Sequence, residues 1–350
     1  MDDDSETLRK DSLARLISLL ESIDGSKVTL IGDTMLDRYH HGFANNLNST
    51  APVPVLKIID SDESPGASAH IAIGLTSFGM DVSFHTAVGD DAEASSITTS
   101  LKSKDIRIEN IIRVKDRPTL TKIRFFASRE SLLDRRQILL QADRGPNETL
   151  DESVSSSLTG TALKNIPDSC ALVISDYDKG VVTKDGAQIL IEAAKSSGIP
   201  AIVDPKLTGL VKSRGATVVI FEKRGMSLLA RRIGLNDDDA AKHLLDEYSW
   251  QGILVLGGIH GMYLHQIDQE SIFMFCMVTR GEQMIGMVVA AAASLAAALG
   301  SGLSLYDAAL LASAACDCVL SASSGRDYID RATLGLWLEE LSWQMRISDR

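Results

Sequence analysis

Basic runs, paired cysteines and long apolar stretches are all missing from this sequence, and each absence closes off a class of protein. Thirty-five Lys and Arg stand against 47 Asp and Glu, a formal net charge of -12, with no basic cluster to interrupt it. A polyanion would meet a repulsive field, which argues against autonomous binding to nucleic acid or to an anionic membrane. The four cysteines, Cys170, Cys276, Cys316 and Cys318, include no Cys-x-x-Cys pair and lie in apolar contexts. They read as buried thiols in a reducing, cytoplasmic setting, with no disulfide or zinc framework and no metal site of their own. The longest apolar run, Met284 to Leu299, is rich in alanine, broken by Gly286 and Ser294, and short for a bilayer. It is expected to be a buried helix. The start, Met1-Asp2-Asp3-Asp4, has the wrong charge for a signal or transit peptide.

No fixed-period repeat, low-complexity segment or Pro/Gly/Ser linker divides the 350 residues, of which 45% are hydrophobic and 23% charged. One large α/β domain is therefore expected. Leu8, Leu13, Leu16, Ile17 and Leu20 recur at helical spacing, so residues 5–22 form an amphipathic helix on a 1–24 extension. That helix is either a docking element or, the favoured reading, a cap on the core. Val28 to Ile31 is a short strand; Val53 to Ile58, Thr119 to Phe126 and Gln137 to Gln141 alternate partly, as in a small sheet with one open face. These predict a lid drawn from about 38–60 and 107–143. From residue 170 the rhythm changes: Ala171 to Ile174, Ala201 to Val203, Thr217 to Phe221 and Ile253 to Leu256 are continuously apolar, with helical stretches between several of them. Strands of that kind belong to a parallel sheet covered on both faces. A loop at 144–152, closing helices near 284–299, 305–322 and 332–343, and a tail at 344–350 complete the expectation.

Some motifs are discounted. Gly257-Gly258-Ile259-His260-Gly261 has the wrong spacing for a dinucleotide fingerprint and precedes a strand-like Met262 to His265. His40-His41 lacks the i, i+4 spacing of a helical metal pair and reads as a solvated turn. Ser175 has no Gly-x-Ser-x-Gly elbow. Asp33, Asp37, Asp176 and Asp204 follow or lie near predicted strand ends, where an α/β sheet presents side chains to a crevice; the alternative is that they cap helices or pin turns.

Four stretches in order, Gly32-Asp33-Thr34-Met35-Leu36-Asp37-Arg38-Tyr39, Ala51-Pro52-Val53-Pro54-Val55, Ser175-Asp176-Tyr177-Asp178-Lys179-Gly180 and Asp204-Pro205-Lys206, resemble the PfkB-type, ribokinase-like sugar kinases. The heptose-7-phosphate kinase branch is the nearest, and Thr121-Lys122-Ile123-Arg124 and Gln137 to Asp143 fit it; the resemblance runs from about 25 to 343. It implies a doubly wound, mostly parallel sheet flanked by helices, with a small β lid over a sugar cleft and ATP with magnesium as donor. It implies that Asp37 accepts hydrogen bonds from sugar hydroxyls, that Gly66 and Asp176 line the sugar, and that Lys122, Arg124 and Lys179 hold anionic groups. Lids of this fold often pair, so a homodimer through the lid or membership of a larger assembly is expected.

The same resemblance makes the departures visible. The family sets a Gly-Ala-Gly-Asp turn at a helix start, where glycine amides hold the migrating phosphate and the Asp is the base. Here Thr279-Arg280-Gly281-Glu282-Gln283 is one residue shorter; Gly281 is the remaining glycine and Glu282 replaces the Asp. A carboxylate displaced by roughly 1 Å costs on the order of 10²-fold in rate. The Asn-x-x-Glu that organises magnesium and phosphate becomes Glu222-Lys223-Arg224-Gly225, which reads as an exposed charged turn. The sugar loop becomes Gly66-Ala67-Ser68-Ala69-His70, with an added Cβ and an imidazole for an Asn. Val-Thr-x-Gly near the nucleotide becomes Val255-Leu256-Gly257-Gly258, with Gly258 and Gly261 left as nucleotide-side glycines. Lid charges are replaced by Asn46, Thr50 and Gln141, and a helix Asn by Ser313. The leading expectation is a pseudokinase that binds a sugar or sugar phosphate or serves as a structural subunit. The alternative is an active kinase with Glu282 as base and a rearranged anion hole.

Overall fold

A continuously apolar strand has two faces to bury, and the computed structural model, which describes residues 3–128, 137–279, 286–322 and 329–348, covers both. Along the chain run α1 (Asp3–Ser22), β1 (Lys27–Gly32), β2 (Thr34–Leu47), β3 (Pro54–Ala67), α2 (Ser68–Ser77), β4 (Asp81–Gly89), α3 (Ala92–Lys102) and β5 (Ile111–Val114). There follow β6 (Thr121–Ser128), β7 (Gln137–Arg144), α4 (Glu152–Asn165), β8 (Ala171–Ser175), α5 (Lys184–Ser196), β9 (Ala201–Asp204) and β10 (Val218–Glu222). The chain closes with α6 (Lys223–Ile233), α7 (Asp237–Tyr248), β11 (Gly252–Leu256), β12 (Met262–Gln266), β13 (Ile272–Met274), α8 (Met287–Gly300), α9 (Leu305–Ser321) and α10 (Arg331–Ser348).

A nine-stranded sheet has the order β13-β12-β11-β10-β9-β8-β1-β4-β5, and a four-stranded sheet the order β3-β2-β6-β7. In the large sheet every pairing from β11 to β5 is parallel, and β12 and β13 extend it antiparallel. Alternate residues of one strand feed opposite cores. Val218 and Ile220 of β10 pack in one apolar cluster with residues of α1, α2, α8 and α9, while Val219 and Phe221 join a second with α4, α5, α6 and α7. That two-sided burial is why these strands show no alternation in sequence.

Several expectations are corrected. Residues 111–114 belong to the edge of the large sheet, where β5 pairs with Thr86–Gly89, and are not lid. The lid begins earlier than 38, at Thr34, because β2 continues almost directly from β1, and β3 extends to Ala67 through a polar stretch whose only strand signal is its register against β2. His40 and His41 lie within β2, not in a turn; they stack on Phe125 and Phe126 and bond to Ser61 and Asp62 across the strand pair. Helix α10 runs to Ser348, so no separate tail begins at 344. Cys170 and Cys276 are half-buried, whereas Cys316 and Cys318 are buried as expected. Among the described residues no helix is long and apolar enough to cross a membrane.

Helix α1 packs into the first core through Leu13, Leu16, Leu19 and Leu20. Arg15 Nη2 lies 2.7 Å from Asp307 Oδ1, and that carboxylate is 3% exposed. Asp307 also completes the capping box of α9 with Ser304. This contact suits the cap reading of the N-terminal helix.

Candidate active-site cleft

The side chains expected to face a sugar come from the lid, whose register sets them side by side. Asp37 of β2 is aligned with Lys122 of β6, and Arg124 lies two residues further along the same face. Arg124 Nη1 approaches Asp37 Oδ1 to 2.7 Å, with the two side chains 16% and 13% exposed. The expected sugar acceptor and one expected anion holder therefore neutralise each other. Gly66 stands opposite Met35, and a Cβ there would come within 2.2 Å of Asp37 Oδ2, so the missing side chain makes room for the carboxylate. The next residue, Ala67, has φ 53, a conformation that costs an L-residue energy and that glycine adopts freely.

The opposite wall comes from the carboxyl ends of β8, β9 and β10. Asp33, buried between β1 and β2, accepts hydrogen bonds from the amides of Tyr177, Lys179 and Val181, which pins the turn after β8. Burial pushes the Asp33 carboxyl up despite those donors. The turn projects Tyr177 into the cleft, where its ring lies 5.6 Å from Lys122 Nζ and 5.7 Å from Lys206 Nζ. Burial lowers Lys122, with the charges of Asp37 and Asp143 opposing the shift. Asp204, at the end of β9, is pushed up to about 7, first by burial and then by the neighbouring carboxylates of Glu222 and Asp176.

These groups surround a cleft of about 720 Å³. That volume is in the range of cofactor and ligand pockets. Among the described residues, Asp37, Lys122, Arg124, Asp204, Glu222, Lys223 and Arg224 are its charged lining groups, four cationic and three acidic, in a chain of net charge -12. Helices α2, α6 and α8 present their first residues to it, and none of the three has a side-chain N-cap hydrogen bond. By contrast α3, α4, α5, α7 and α9 are capped by Asp91, Asp151, Thr183, Asn236 and Ser304. Uncapped first-turn amides carry partial positive charge and favour an anion. The residues thus fit the phosphates of a nucleotide.

Other expected site residues fall elsewhere. Asp176 is buried with its Oδ2 3.0 Å from Lys212 Nζ, and its Oδ1 accepts from the Asp178 amide, so it pins a turn and does not line the cleft. Lys179 has an exposed side chain outside the cleft and contributes its amide to Asp33. Gly225 is inside α6 against Leu207, and Gly261 makes a tight turn with φ 79 in which a Cβ would strike Met274 O. Gly258, φ 62, does line the cleft, as does Glu222 at the N-cap of α6. Gly281 and Glu282 lie outside the described residues. Lys223 and Arg224 are exposed as expected, but they open a helix and line the cleft, which corrects the reading of a turn. Tyr177 and His260 escaped the sequence reading; Tyr177 stood inside the Ser-Asp-Tyr-Asp motif, and its apolar ring between four polar neighbours was the available signal.

Magnesium is served less well than phosphate. Gly225 has no side chain at the family's Glu position, and two cations follow Glu222 directly. Among the described residues no group of three or more His, Cys, Asp or Glu is placed to hold a metal ion.

The sheet order and lid define a ribokinase-like α/β fold. Solved structures agree: Escherichia coli phosphofructokinase-2 in complex with substrates and products matches with a TM-score of 0.71 and 16% identity, over 91% of this chain and 99% of that one. Arabidopsis thaliana ribokinase complexed with ribose and ATP gives 0.67 and 15%, over 90% and 99%. The chain belongs to the PfkB family of carbohydrate kinases, whose sequence profile matches residues 26–331. Among curated relatives, the bifunctional protein HldE of Pseudomonas syringae pv. tomato is 32% identical over 302 residues, which is 85% of this chain and 60% of the relative. That of Paramagnetospirillum magneticum is 31% identical over 335 residues, covering 94% and 67%. The chain thus spans roughly three fifths to two thirds of the length of these relatives.

Proposed function

We propose that this chain is a carbohydrate-kinase homologue that binds a sugar or sugar phosphate in its cleft and has little or no phosphotransferase activity, acting through binding or as a subunit of an assembly. One observation carries the reading: the start of α6, which in the family organises metal and phosphate, offers Glu222 followed by two cations and then Gly225, with no second carboxylate on that turn. The shortened sequence around Gly281 and Glu282 supports it. Phosphoryl transfer depends on positioning and charge stabilisation, so losing both the metal organiser and the anion turn removes most of the rate.

An active kinase with Glu282 as base is the second reading. It is favoured by the open cleft of about 720 Å³ and the three uncapped helix starts beside it. ADP formation from ATP and magnesium over a panel of sugars and sugar phosphates separates the two. No turnover supports the first; sugar-dependent turnover that Glu282→Gln abolishes establishes the second.

For the assembly, the lid supports a homodimer: Ile58, Ile59, Ile138 and Leu140 are each about half exposed on its strands. Sedimentation of the full chain as a monomer at micromolar concentration would refute that pairing. A reducing, cytoplasmic setting suits the four free cysteines.

A further inference from the structure

The cleft's two basic residues at the start of α6 run against the local preference of a helix. Lys223 and Arg224 occupy its first two positions, the first turn has no acidic residue, and the N-cap side chain makes no capping bond. Cations at a helix N-terminus are unfavourable, since the macrodipole already places positive potential there. Neither side chain forms an ion pair with any described residue, both are exposed, and both line the cleft. Breaches of local preference of this kind concentrate at functional sites, where a ligand supplies the missing partner.

We propose that a phosphate-bearing ligand binds this cleft without a divalent cation, with the Lys223 ammonium and the Arg224 guanidinium neutralising its charge. The inference rests on the reading of the cleft as a kinase-derived binding site and names how that site holds its anion. An arginine fork pairs with two phosphate oxygens at once, and a lysine adds a compact point charge. A divalent ion against Glu222 would lie on the same helical turn as both cations and be repelled by them. The two remaining carboxylates of this wall, Asp204 and Glu222, then act against the anion. The opposite holds for a metal-bridged phosphate, in which a carboxylate is a ligand. Glu222 therefore distinguishes the two modes by the sign of its effect.

The test is calorimetric titration of the full chain with ATP, and separately with inorganic pyrophosphate, in EDTA and in excess magnesium. Affinity in EDTA equal to that in magnesium within about threefold is expected, falling at least tenfold in the Lys223→Ala/Arg224→Ala double variant. Circular dichroism checks that variant's fold, and the swap Lys223→Arg/Arg224→Lys, which keeps both charges but moves the fork, should bind between the parent and the double variant. Glu222→Gln should bind equally or more tightly. Binding that needs magnesium, a double variant that binds like the parent, a weaker Glu222→Gln, or no binding of either probe overturns the proposal. Turnover is scored separately by ADP formation, so failure here leaves the question of lost phosphoryl transfer untouched.

Discussion

Replacing Asp204 by Asn should stabilise the protein, and more so at pH 8 than at pH 5. The Asp204 carboxyl is pushed up to about 7 in the folded chain, first by the loss of water around it and then by the neighbouring carboxylates of Glu222 and Asp176. In the unfolded chain it returns to the ordinary value of 3.8. Between those values the folded state holds a proton that the unfolded state has released, so stability falls as pH rises through the window and levels off above it. From pH 5 to the upper end near 7 about two pH units of the window remain, or about 2.7 kcal/mol at about 1.36 kcal/mol per unit. The side chain is only partly shielded at the cleft wall, so about 1–2 kcal/mol is the expected pH-dependent gain of Asp204→Asn over the parent. Urea unfolding of both proteins at pH 5 and pH 8 measures it. Glu222→Gln removes one cause of the shift and should narrow the difference. A gain that is the same at both pH values would refute the assignment of a raised carboxyl to Asp204.

Ala67→Gly should raise stability by about 1 kcal/mol in the same assay, because the φ of 53 suits glycine and strains alanine. Arg124→Ala leaves the Asp37 carboxylate, 13% exposed, without its partner and should cost about 2–4 kcal/mol. A loss below about 0.5 kcal/mol would make that pair an ordinary surface contact. Arg15→Ala removes the partner of the Asp307 carboxylate, 3% exposed, at the junction of α1 and α9 and should cost about 1–3 kcal/mol. Hydrogen exchange should then quicken first in α1, and uniform protection there would contradict its role as a docked cap.

The parallel core was legible because burial on both faces leaves a direct record in composition: β8, β9, β10 and β11 are continuously apolar runs. The lid was legible less well. Its strand β3 passes through Asp60-Ser61-Asp62-Glu63-Ser64-Pro65, residues with weak strand preference that pair because β2 lies beside them. The four-residue β5 was hidden for the same reason, since its place at the edge of the large sheet depends on β4.

For the site, sequence order was sufficient to select Asp37, Lys122, Arg124, Glu222 and Gly258, which the fold brings to one cleft. It could not tell Asp176 and Lys179 from cleft residues. Which side of a turn a side chain takes is set by partners far along the chain, here Lys212 and Asp33. Nor could it reveal that Arg124 spends its charge on Asp37, or that Lys223 and Arg224 begin a helix facing the cleft. Composition and periodicity report what each residue needs from its surroundings, and so determined the core, while the order of short motifs along the chain carried the likeness to the family. Only the tertiary structure decided which charges meet, because a charge's partner depends on distance through space, which residue order leaves open.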